Sequence, residues 1–153
     1  MVHALESIHH LLTPAGRLID IHPFAEAPMI EVHQGGRRTF SEPVPAYAVE
    51  DIQHAEQALA HTVENGFFAV ERARAFQFRT YAFSVAELTG FLAEQGSFAG
   101  GPPGEDVSAQ AAQYEEMAAH VEQLMQAAGE GTEVVLHERA HIIMLAALAR
   151  VPR

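Results

Sequence analysis

A chain of 153 residues, 48% hydrophobic and 19% charged, is long enough for one domain with a real core and too apolar to be disordered. Its net charge of −11, with all nine basic residues Arg, argues against a nucleic-acid partner, because phosphate binding rests on clustered Lys and Arg. The lack of Cys excludes disulfides, thiolate metal sites and cysteine nucleophiles. No apolar run approaches a membrane span and the opening "MVHALESIHHLL" is too polar for a secretory signal, so no membrane partner and a cytoplasmic location are expected.

Leu5, Ile8, Leu11 and Leu12 recur at helical spacing and predict a helix over 3–12, stopped by "TPAG". "RLIDIH", 17–22, predicts a short strand ended by Pro23. Irregular ground rich in Pro follows to about residue 47. Within it "MIEVHQGGRRTF" predicts a hairpin turning at Gly35-Gly36, where glycine supplies the positive φ of a tight turn. A helix is predicted from Val49 to Val63, with Ile52, Ala55 and Leu59 on one face, Glu50 and Asp51 near its positive end, and Asn65-Gly66 as its stop.

The aromatic-rich run 67–83 predicts a long strand. "SVAE", 84–87, has the capping-box pattern and opens a helix to about Glu94. "GSFAGGPPG" predicts a loop. An amphipathic helix follows over 105–128, with Met117, Val121, Leu124 and Met125 on its apolar face, closed by Gly129 and Gly131.

The last segment, "TEVVLHERAHIIMLAAL", contains His137-Glu138-x-x-His141, which on a helix is a zinc-hydrolase signature. Its β-branched pairs Val134-Val135 and Ile142-Ile143 predict a strand instead. Four strand residues span about 13 Å, so the two imidazoles cannot share one metal, and Glu138 points to the opposite face. A zinc hydrolase on this motif is therefore disfavoured, and no metal ligand is assigned.

The stretch "ALESIHHLLTPAGRLIDIHP", with Leu12, Pro14, Gly16, Arg17 and Leu18 in register, resembles the helix, L-x-P-G-G-R-L turn and fifth strand of class I S-adenosylmethionine-dependent methyltransferases. "FQFRTYAFSVAELTGFLAE" and "GTEVVLHERAHIIML" look like that family's sixth and seventh strands. The resemblance implies an α/β fold: a partial Rossmann-like sheet with its strands in the order fifth, seventh, sixth, flanking helices and a small hairpin insert. It covers residues 1–153 as a single domain, the C-terminal half of the family's fold. The family's cofactor cradle, a Gly-rich loop after its first strand, has no counterpart here.

What the resemblance implies for function is a truncated, methyltransferase-like protein without independent methyl transfer. No cofactor is expected for the chain alone, and S-adenosylmethionine only if a partner supplies the first half. Strand 17–22 would keep an exposed edge, and another copy of the chain is the simplest cover, so a homodimer is expected, with a heteromer as the alternative. Ligands bind beyond the carboxyl ends of such strands. This marks Asp20 and His22 as candidate substrate-binding residues, and Arg79 and Tyr81, which share one face of the long strand, as candidates to line the same pocket, with no catalytic residue assigned. Two other readings stand beside this one: a methyltransferase subunit completed by a partner chain, and a small-molecule-binding module.

Overall fold

The computed structural model describes residues 2–13, 15–45, 47, 49–94 and 107–149. The elements in chain order are α1 (Val2–Leu11), β1 (Arg17–Pro23), β2 (Met29–Gln34), β3 (Arg37–Pro43), α2 (Val49–Glu64), β4 (Phe68–Ala82), α3 (Val85–Glu94), α4 (Val107–Ala128) and β5 (Thr132–Ala147). This is an α/β chain with an open five-stranded sheet in the order β1-β5-β2-β3, in which β4 also pairs with β5. The last segment is a strand, as its β-branched pairs require. The "GSFAGGPPG" loop and positions 105 and 106 of the expected long helix lie outside the described residues. None of the described helices is long and apolar enough to cross a membrane.

Local chemistry accounts for the element ends. Gly35 and Gly36 have φ of 56° and 75°, the left-handed pair that a two-residue hairpin turn needs. At α3, Ser84 Oγ accepts a hydrogen bond from the Glu87 amide at 3.1 Å. The Glu87 carboxylate accepts one from the Phe83 amide at 2.8 Å, so the capping box forms with its return bond one residue early.

Two compact units share these elements. The first comprises Met1–Glu26, Val49–Gln77 and Arg139–Arg153; the second comprises Ala27–Ala48 and Phe78–Glu138. In the first, β1 runs antiparallel to β5, from Arg17 opposite Ala146 to Pro23 opposite Ala140. Its core is Leu59, Phe68, Leu145 and Ala147, with Leu5, Leu12, Leu18 and Val63 packed against them. Of the apolar stripes read from the sequence, Leu5, Leu12 and Leu59 enter this core, whereas Leu11 is 84% exposed.

In the second unit, β2 pairs antiparallel with β3 and also with β5, from Met29 opposite His137 to Gln34 opposite Thr132. Its core includes Ile30, Val32, Leu88, Val121, Val134 and Leu136. Each such side chain contributes about 1.5–3 kcal/mol by leaving water. The small hairpin insert expected from sequence is present as β2 and β3. It extends the sheet, because β5 is long enough to hold β1 along Ala140–Ala146 and β2 along Thr132–His137.

Gly16 stands just before β1 at a close approach. A Cβ there would lie 2.9 Å from the Thr13 carbonyl oxygen and 3.0 Å from Leu12 Cβ. Gly16→Ala is expected to destabilise the chain by about 1–3 kcal/mol through this overlap. A urea denaturation midpoint that does not move in the variant would show that the turn opens without cost.

Candidate functional site

The carboxyl end of β1 carries the first cluster. His22 lies directly opposite His141 in the β1–β5 register, and their ring centroids are 5.1 Å apart. Asp20, two residues earlier on the same face, accepts a hydrogen bond from His22 Nδ1. Helix α2 brings a third group: Glu56 sits one turn before Leu59 and Ala60 and faces both imidazoles. Its Oε1 is 3.7 Å from His22 Nε2 and 3.8 Å from His141 Nε2. The three donor atoms of His22, Glu56 and His141 all fall within 4.8 Å of one another.

Aromatic packing fixes the second imidazole. Phe24 stacks on His141 at 3.8 Å between centroids, and the Arg139 guanidinium lies 4.3 Å above the Phe24 ring. Arg139 in turn donates to both oxygens of Glu26, at 3.1 and 3.2 Å. The cluster borders a cavity of about 490 Å³ whose other walls include Leu59, Val63, Val70 and Ile143. Polar groups on an otherwise apolar concavity are the usual composition of a small-molecule site.

A second cluster lies in the other unit and is closed on itself. Glu31 on β2 is 1% exposed. Its carboxylate accepts hydrogen bonds from His33 Nε2 at 2.7 Å, Arg38 at 3.0 Å and His137 Nδ1 at 3.1 Å. Burial alone would raise the Glu31 pKa, but these hydrogen bonds and the charge of His137 outweigh it and hold the carboxyl at about 2. On the other face of β5, burial pushes the Glu138 carboxyl up. Burial, and then the Glu138 charge, raise the Tyr47 phenol, while burial and Tyr47 push Tyr114 up to about 12.

Of the residues singled out from sequence, Asp20 and His22 are brought together at the first cluster. Tyr81 instead sets its ring edge-on to His33, 6.3 Å between centroids, in the second unit, and Arg79 is exposed on β4 in that unit. The His137-Glu138-x-x-His141 motif is split. His137 donates to Glu31, while His141 faces His22 and Glu56. Glu56 went unread in the sequence, although a carboxylate one turn from Ile52 and Leu59 interrupts an apolar helical stripe. His9, which the sequence places at the end of the first helix with no ligand assigned, is buried. It is 7% exposed, its Nε2 donates to the Leu148 carbonyl at 3.0 Å, and its Nδ1 has no partner among the described residues.

No protein-family model matches the chain, and no curated protein matches it either.

The Glu31 cluster has a thermodynamic consequence. A carboxyl whose pKa is depressed in the folded state contributes stability above its ordinary value of 4.5 and loses it as the pH falls toward about 2. Glu31→Gln is therefore expected to cost about 2–4 kcal/mol at pH 7. The wild-type and variant urea midpoints should converge between pH 4.5 and about 2. Midpoints separated by the same interval throughout that range would contradict the assignment.

Proposed function

We propose that the chain is a methyltransferase-like domain that keeps the acceptor side of the class I fold and does not transfer methyl groups unaided. One observation carries this reading: β5 pairs with both β1 and β4. In the resembled fold the seventh strand lies between the fifth and the sixth, and β1, β5 and β4 have that adjacency. In the sequence, Leu12, Pro14 and Gly16 precede β1 and Arg17 and Leu18 begin it, as the family's motif stands before its fifth strand. The cavity beside His22, at the carboxyl end of β1, supports a retained small-molecule site.

The 153 residues hold no Gly-x-Gly-x-Gly after a strand, so S-adenosylmethionine would need a cradle from a partner chain bearing the first half. Calorimetric titration of S-adenosylmethionine into the purified chain is expected to give no heat of binding. Saturable binding at micromolar concentration would mean that a cofactor site exists here, and the reading would fall.

The domain works as a homodimer or as a subunit. β1 has one strand neighbour, β5, among the described residues, and Ile19 and Ile21 on it are each 60% exposed. An apolar strand with an open edge is a template for a second chain, and a two-fold axis would pair β1 with its own copy. Light scattering is expected to give twice the monomer mass for the wild type and the monomer mass for Ile21→Glu. A wild type that is monomeric across the accessible concentration range would remove the homodimer.

A further inference from the structure

We propose that His22, His141 and Glu56 form a binding site for one divalent transition-metal ion of the zinc class. The inference stands on geometry and holds whether or not the chain is methyltransferase-like.

Three observations combine. The first is the donor set. Two imidazole nitrogens and one carboxylate oxygen lie within 4.8 Å of one another, with Glu56 Oε1 3.7 Å from His22 Nε2 and 3.8 Å from His141 Nε2. Ligands of a tetrahedral zinc at about 2.0–2.1 Å are separated by about 3.4 Å, so small side-chain shifts close the site.

The second observation is how little holds these atoms together without a cation. A carboxylate only accepts hydrogen bonds, so Asp20 takes the Nδ1 proton of His22. In the neutral ring this leaves a lone pair at Nε2, and that atom faces the Glu56 carboxylate. Neither the 3.7 Å nor the 3.8 Å separation is a hydrogen bond. His22 Nε2 and the Glu56 carboxylate are thus acceptors facing one point, with His141 Nε2 3.8 Å from the same carboxylate oxygen, and a cation at that point satisfies both acceptors.

The third observation is the support around the ligands. Metal-bound imidazoles usually give their other nitrogen to a carboxylate, which sets the tautomer and the ring orientation, and Asp20 does this for His22. Phe24 holds the His141 ring by stacking. Both histidines come from directly opposed positions on paired strands, so their separation is set by the sheet and not by a loop.

The donor chemistry selects the ion. Imidazoles with one carboxylate favour zinc, copper, nickel or cobalt over magnesium or calcium, which prefer all-oxygen shells. Three protein ligands leave a coordination position open, as in catalytic zinc sites of the His₂Glu type. All three ligands line the 490 Å³ cavity with Leu59, Val63 and Ile143. The ligand class is then a small molecule with one coordinating oxygen and an apolar body.

The test is calorimetric titration of Zn²⁺ into the full chain after chelator treatment, with Co²⁺ absorption as a spectroscopic check. Expected are one equivalent of Zn²⁺ bound at micromolar affinity or tighter, the visible bands of four- or five-coordinate cobalt, and no binding of Mg²⁺. His141→Ala and Glu56→Gln should weaken binding at least 100-fold, and Asp20→Asn by about 10- to 100-fold. His54→Ala and His61→Ala, at exposed positions on α2, should leave it unchanged. Glu56→Gln lies on a helix surface and keeps the test open should His141→Ala fail to fold. No saturable Zn²⁺ binding would overturn the proposal, as would binding that survives both ligand substitutions or Mg²⁺ binding of equal strength.

Discussion

The pairing of β5 with its neighbours is the interaction on which both cores depend. Thr132–Glu138 lies in one unit and Arg139–Ala147 in the other. Val134 and Leu136 enter one core, Leu145 and Ala147 the other. Successive strand side chains alternate faces, so the β5–β2 register sets the contacts of Val134 and Leu136, and the β5–β1 register sets those of Leu145. A one-residue slip against β1 would exchange Leu145 for Met144 and move His141 away from His22.

The same alternation explains why polar side chains accompany the apolar ones. Glu31 and His33 share a face of β2, with Arg38 opposite His33 on β3 and His137 opposite Met29 on β5. A buried carboxylate without partners would cost several kcal/mol, whereas one holding three donors is stabilised in its charged form. His137 is therefore best understood through Glu31. Its position in a zinc-hydrolase motif is a coincidence of spacing that the strand conformation removes.

Most elements were legible in the sequence because their causes are local. Glycine pairs mark the hairpin, Ser84 and Glu87 mark the start of α3, and β-branched pairs decide β5. The membership of the hairpin in the sheet was not legible, because it depends on which stretch of a 16-residue strand meets β2, a long-range choice no window of residues contains. The candidate site divides in the same way. Asp20 and His22 could be read from the end of β1. Glu56 could not be joined to them, since its role depends on the face α2 turns to the sheet. Arg79 and Tyr81 were grouped with His22 because they share one face of the long strand, and they belong to the second unit.

The two histidine–carboxylate clusters use the same residue types with opposite balance. Around Glu31, one carboxylate meets three donors, and every strong acceptor is answered from within the protein. Around Glu56, the carboxylate meets two imidazole nitrogens beyond hydrogen-bonding distance, one of them on a ring whose other nitrogen is committed to Asp20. The first arrangement gives its carboxylate three donors from within the protein. The second is complete only when something positive and coordinating lies between its members, and it borders a cavity with apolar walls. Histidine content alone would not separate the two. Donor and acceptor counting does, because Glu31 has three hydrogen-bond donors and Glu56 has neither imidazole within hydrogen-bonding distance.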